Sequence, residues 1–256
     1  MATALIGGLK KSGVAAQSIV VVDPNEDQLK RLEKEFGIQT TLSSQAATEA
    51  ADVVVWAVKP QVLHDAANHV NAPHALHISI AAGISSSNLV KWLKTDRVVR
   101  AMPNTPALVG KGVTGLFAAT GVNPVDKNVV EDLFSGTGYA FWVKSDDNMN
   151  AVTAISGSGP AYVFHFLEGF QRAALALGFH SDQARELALM VARGAVEQAI
   201  SSNESLSTLR EKVTSERGTT EAALSCLDAA HTQEALREAV LAAENRAREL
   251  SLELSQ

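Results

Sequence analysis

Apolar positions in the first half of the chain follow two alternating patterns. Unbroken apolar runs at residues 19–22 and 53–58 read as buried strands, and the apolar-rich stretches at 76–80 and Val98–Met102 as further strands. Between them, apolar residues recur three and four apart over Ala2–Lys11, Glu26–Phe36, 46–51, 61–70 and 88–94, the spacing of one helix face. Gly13 and Gly37 stand where the first two helices should stop. Further strands at 113–118 and 140–143 flank a helix over 125–134. Strands alternating with helices predict a doubly wound parallel sheet.

After this region the period-2 signal disappears. Helices are predicted over 162–177, ended by Gly178, over 181–201 with Ser181 and Asp182 as the cap, over Leu206–Lys212 and Thr219–Ala229, and over 233–254. The pattern predicts an α/β domain over residues 1–145 and an all-α domain over 146–256. Ser156-Gly157-Ser158-Gly159-Pro160-Ala161-Tyr162 reads as the seam: its small residues let backbones approach closely, and Pro160 suits a first helical turn. Rather few large apolar residues serve so many helices, so some faces are expected to be buried against a second copy of the chain.

With 256 residues, 46% hydrophobic and 20% charged, the chain has the composition of a globular protein with room for two cores. A formal net charge of −6 argues against nucleic acid or an anionic membrane as partner. No apolar run reaches the roughly 18 residues that span a bilayer. Residues 1–9 lack the basic leader and cleavage site of a signal peptide. Cys226 is the sole cysteine, which fits a reducing cytoplasm.

The strand ends carry the first chemical signal. They read Ala57-Val58-Lys59-Pro60, Ser79-Ile80-Ala81-Ala82-Gly83 and Ala101-Met102-Pro103-Asn104-Thr105-Pro106. In doubly wound sheets ligands sit beyond the carboxyl ends of the strands, and small residues there leave room for a flat cofactor. A Rossmann-like dinucleotide crevice is the expectation. Such a fold should open with a strand and a G-x-G-x-x-G turn that brings pyrophosphate to a helix N-terminus. This chain opens on the helix that should follow that turn, so a first strand lying mid-sheet is expected to be missing.

The second signal is Val213-Thr214-Ser215-Glu216-Arg217-Gly218-Thr219-Thr220-Glu221. A helix starting at Thr219 offers free N–H groups, a positive dipole end and two hydroxyls, a receptor for a small carboxylate. The plainer alternative is N-capping by Thr220. Elsewhere, His64, His69, His74 and His77 lack the i,i+4 pairing of helical zinc sites, Asp146-Asp147 reads as a helix start, and no Ser-His-Asp arrangement can be defended.

Taken together, the motifs at 57–61, 79–83, 100–106, 156–162 and 213–220 resemble those of pyrroline-5-carboxylate reductases, the enzymes of the last step of proline synthesis. The resemblance implies NADPH as hydride donor, with NADH possible because Asp23 ends the second strand of the usual order. The cofactor would meet Ala57, Val58, Lys59, Pro60, Ala81, Ala82, Gly83 and Asn104, and Ser44 near the adenosine ribose. It further implies a small-molecule imine substrate whose carboxylate is held by Ser215, Gly218, Thr219 and Thr220, with the Thr220 hydroxyl as the catalytic group at the ring nitrogen. Homodimers that exchange helices, and decamers built from them, are the implied assemblies. Glu216-Arg217 departs from the family's usual Pro-Gly or Pro-Asn. Two readings stand at this point: an active reductase, or a remnant that dimerises but binds cofactor poorly.

Overall fold

A computed structural model describes residues 1–254, so the last two positions of the predicted helical domain lie outside the described residues. The chain divides into two compact units. One comprises Met1–Pro160 together with the stretch from Ala242, the other Ala161–Leu241.

In the first unit the order is α1 (Ala2–Lys11), β1 (Val20–Val22), α2 (Glu26–Phe36), β2 (Gln39–Thr41), α3 (Ser44–Thr48), β3 (Val53–Trp56), α4 (Pro60–Asn68), β4 (Leu76–Ser79) and α5 (Ser86–Leu93). Then come β5 (Val98–Met102), β6 (Gly112–Ala118), α6 (Pro124–Ser135), β7 (Gly138–Trp142) and α7 (Asn148–Val152). Local signals account for the best-read elements. Asn25 Oδ1 accepts the N–H groups of Asp27 and Gln28 at the start of α2, and Gly37 closes that helix in the left-handed region at φ 67°. Pro60 stands in the first turn of α4, where its missing N–H costs nothing.

Five strands pair in the order β3-β4-β5-β6-β7, all parallel except the antiparallel β5–β6 pair, while β1 and β2 form a separate parallel pair. The usual doubly wound order sets one further strand between β1 and β3. Here the sheet is divided at that place. The run at 19–22 was expected to be buried, yet Val20 and Val22 are 42% and 38% exposed. The reason is that β1 pairs only with β2, so its other edge has no neighbouring strand to cover it.

Helix α1 holds the divided sheet together. Its Leu5 packs in one cluster with Leu76, Ile78, Val99, Leu116 and Phe134, whereas the adjacent Ile6 packs with Leu32 and Ile38. A Cβ added at Gly8 would lie 2.5 Å from Thr137 Cγ2, so only glycine lets α1 lie this close to the α6–β7 turn. On the opposite face, Leu63, Ala67, Leu89 and Leu93 of α4 and α5 cover Trp56 and Val98. The result is a sheet with helices on both faces.

Two buried titratable groups in this unit, His77 and Asp126, are paired with partners that fix their state. Trp56 Nε1 donates to His77 Nδ1 at 3.1 Å, which leaves His77 Nε2 to donate to the Ala72 carbonyl at 2.8 Å. Burial pushes the His77 pKa below 6.5, and the ring is held neutral. Asp126, buried at the start of α6, takes a bidentate pair from Arg97 at 2.6 and 3.1 Å. That guanidinium, by hydrogen bonding, holds the Asp126 carboxyl below its usual range.

The second unit is helical, as its patterning predicts. It is built from α8 (Gly159–Ala176), α9 (Ser181–Ile200), α10 (Leu206–Lys212), α11 (Thr219–Ala229) and the first part of α12 (Thr232–Glu253). Residue 180, not the predicted Ser181-Asp182 pair, stands at the N-cap of α9, with no side-chain bond closing it. Phe164, Phe166 and Phe170 of α8 and Leu187, Met190 and Val191 of α9 are open to solvent in the single chain. No helix among the described residues is long and apolar enough to cross a membrane.

Candidate active site

The carboxyl ends of β3, β4 and β5 lie side by side. Trp56 is paired in register with Ser79, and Ser79 with Arg100, so the three loops predicted to bear the cofactor leave the same edge of the sheet. At the end of β3, Ala57, Val58 and Lys59 are exposed, and Pro60 opens α4 directly after them. This sets a small apolar surface, one cation and a helix N-terminus together. After β4, the Ala81 N–H donates to Ser79 Oγ at 3.3 Å and Gly83 turns the chain at φ 78°. No side chain between 81 and 83 exceeds a methyl group.

Asn104 occupies the same edge but commits its side chain to the protein. Its Oδ1 accepts the Val113 N–H and its Nδ2 donates to the Ser156 carbonyl, both at 2.9 Å. It thereby fastens the end of β5 to the π-helical turn Thr153–Gly157. Ser44 lies on the β1–β2 side of the sheet division, at the start of α3, where its Oγ donates to the His69 carbonyl at 3.3 Å. Asp23 Oδ1 accepts the Asn25 N–H at 2.8 Å.

These groups fit the nicotinamide half of a dinucleotide: exposed apolar surface beside Lys59, methyl-sized side chains on the next loop, and a helix start for a phosphate oxygen.

In the second unit, the loop before α11 is built around Gly218. The Gly218 N–H donates to the Ser215 carbonyl at 3.0 Å, closing a turn through Glu216 and Arg217. A Cβ at Gly218 would lie 2.3 Å from Ser215 Oγ and 2.9 Å from the Ser215 carbonyl oxygen. Glycine is required by this close approach and not by torsion, since its φ is −85°. Gly218 is also the N-cap of α11, and no side chain caps the helix. The structure thus overturns N-capping by Thr220: the residue stands second in the helix, so its hydroxyl is not consumed as a cap and the first N–H groups of α11 stay available. Arg217 holds φ 55°, the left-handed region, and its N–H donates to the Glu221 carboxylate.

Sequence reasoning missed the partners of Asp146 and Asp147. Asp146 Oδ1 pairs with Arg100 at 2.6 Å and Asp147 Oδ1 with Arg248 at 2.6 Å. The adjacency of two acids was visible, but cations 46 and 101 positions away leave no local trace.

The fold and the strand-end crevice define a dinucleotide-binding oxidoreductase of the doubly wound class. Residues 1–83 match the family model for NADP oxidoreductase, coenzyme F420-dependent, and residues 146–250 match that for pyrroline-5-carboxylate reductase dimerisation. The chain is 43% identical to the pyrroline-5-carboxylate reductase of Vibrio alginolyticus over 98% of its own length and 94% of that protein's. It is 40% identical to that of Pseudomonas aeruginosa, over 100% and 95% respectively. Among solved structures, a pyrroline-5-carboxylate reductase from Coxiella burnetii superposes with a TM-score of 0.92 at 37% identity, over 97% of this chain and 94% of the other. A Plasmodium falciparum pyrroline carboxylate reductase with NADP bound does so with a TM-score of 0.86 at 27% identity, with the same coverage. The chain belongs to the pyrroline-5-carboxylate reductase family.

Proposed function

We propose that this protein reduces the C=N bond of 1-pyrroline-5-carboxylate to give L-proline, with NADPH as donor and as a cytoplasmic homodimer. The reading rests on one observation above all: an uncapped start of α11, behind a turn that only Gly218 permits, coupled in one chain to a dinucleotide-type sheet edge. Similarity over 94–95% of the length of named reductases supports the catalytic reading over that of a remnant.

In this account the substrate carboxylate is held by the N–H groups of Thr219 and Thr220 and by the Ser215 hydroxyl, beside the turn that the Gly218 N–H closes. A helix start favours an anion there through its free donors and its dipole. The Thr220 hydroxyl lies against the ring nitrogen and steadies the proton that nitrogen carries once it becomes an amine. Ala57, Val58, Lys59, Pro60, Ala81, Ala82 and Gly83 hold the nicotinamide half of the cofactor, and Ser44 stands on the adenosine side. Asn104 supports the crevice from behind by fixing the 153–157 turn. The bound cofactor supplies a hydride to the imine carbon. The protein's share is positioning and electrostatics, because a protonated imine accepts hydride readily.

The two domains are proposed as 1–145 for the cofactor and 146–256 for dimerisation and substrate. The exposed phenylalanines of α8 supply an apolar face for the second copy. The test is chiral amino-acid analysis after incubation with NADPH and pyrroline-5-carboxylate. L-Proline is expected; its absence from a folded dimer would reject the proposal.

A further inference from the structure

Asp146 and Asp147 are neighbours that pair with cations on two different elements. Asp146 Oδ1 accepts from Arg100 Nη1 at 2.6 Å, while its Oδ2 accepts the Ser86 backbone N–H at 2.9 Å. Arg100 belongs to β5 and its side chain is 8% exposed, so this end of the pair is anchored in the sheet. Asp147 Oδ1 accepts from Arg248 Nη1 on α12 at 2.6 Å. Farther along both elements, Ser251 Oγ donates to Asn150 Oδ1 at 3.1 Å. These contacts bring the end of α12 onto Gly83, where an added Cβ would meet Leu254 Cδ1 at 2.8 Å. Leu254 packs at the same time against the cluster formed by Trp56, Ile84 and Leu89.

The loop that leaves β4 is therefore gripped at two points. Ser86 is held by Asp146, which Arg100 fixes to β5, and Gly83 is covered by Leu254, whose helix Arg248 fixes to Asp147. Such a grip has a physical purpose. Ala81 anchors the loop in the core by no more than a methyl group, and glycine at 83 gives it the greatest backbone freedom to lose. We infer that Asp146 and Asp147 are positioning residues which, through Ser86 and the last turn of α12, set the 81–83 loop for the cofactor. This rests on the reading of that loop as part of the cofactor crevice. The Asp147–Arg248 pair is half exposed and contributes little stability itself. Its role is to keep Leu254 in register on Gly83.

The test is direct titration of the full chain with NADPH, followed by nicotinamide fluorescence, with thermal midpoint and imine KM measured alongside. Leu254→Ala and Arg248→Ala should each weaken NADPH binding roughly 3- to 10-fold, the scale of losing loop preorganisation. The imine KM and the thermal midpoint should stay near those of the unaltered chain, and Leu254→Met should restore NADPH affinity. Unchanged affinity in a folded Leu254→Ala chain, with the unaltered chain binding normally, would overturn this inference alone. A loss that Leu254→Met does not repair, or that follows a lowered midpoint, would also overturn it. No NADPH binding by the unaltered chain would overturn both the inference and the crevice reading.

Discussion

Replacing Gly218 by alanine isolates the contribution of one close approach. The φ of −85° suits any L-residue, so the substitution carries no torsional penalty. The cost is steric. The new Cβ would stand 2.3 Å from Ser215 Oγ, which can swing aside, and 2.9 Å from the Ser215 carbonyl oxygen, which belongs to the backbone. Relieving the second contact means opening the turn closed by the Gly218 N–H to Ser215 carbonyl bond. Forced shifts of this kind cost about 1–3 kcal/mol. If that strain is relieved by displacing the donors that hold the substrate, kcat/KM falls by roughly 10- to 100-fold, at about 1.4 kcal/mol per factor of ten. The assay is steady-state kinetics with the imine varied at saturating NADPH, with circular dichroism to verify the helices. Ser215→Ala combined with Gly218→Ala removes only the hydroxyl clash and should recover only part of the loss. An imine KM and kcat unchanged by Gly218→Ala would refute the account of this loop as the carboxylate receptor.

Further expectations follow from individual contacts. Thr220→Ala should lower kcat sharply while the dimer stays intact by gel filtration, and unaltered turnover would remove the hydroxyl from the reaction. Arg217→Gly relieves a left-handed arginine, a gain of about 1–2 kcal/mol offset by about 0.4–1 from the freer unfolded chain, so the thermal midpoint should rise slightly. For pH, burial lowers the His77 pKa, so the unfolded chain takes up a proton that the folded chain refuses. Stability is then complete above the ordinary value of 6.5 and declines as pH falls below it, by up to about 1.4 kcal/mol per pH unit. Denaturant midpoints measured between pH 7.5 and 5.5 should show that slope, and His77→Gln should flatten it. Phe166→Glu should shift the protein from dimer to monomer in gel filtration, by placing a charge on the open face of α8.

Much of the fold was legible because its signals are local. The apolar stripe of Glu26–Phe36 lies between an asparagine cap and a glycine stop, and Val98–Met102 is a strand whose first four residues are buried. By contrast β2, Gln39-Thr40-Thr41, is short and polar, and only its pairing with β1 makes it a strand. Exposure of Val20 and Val22 was likewise invisible, because burial of a strand depends on neighbours that its own residues do not name. At the crevice, the small residues of 57–60 and 81–83 announced themselves by composition. The commitment of Asn104 to Ser156 and Val113 did not, since those partners lie 52 and 9 positions away. Thr220 fitted a capping pattern, yet the close contact of Gly218 with Ser215 moved the cap two residues earlier.

The most direct test of hydride transfer to the imine carbon uses NADPH carrying deuterium at both C4 positions. With this protein and pyrroline-5-carboxylate, the proline formed should gain one mass unit, located at C5 by fragmentation. Proline without that label, or labelled cofactor left unoxidised by a folded dimer in the presence of the imine, would contradict the account.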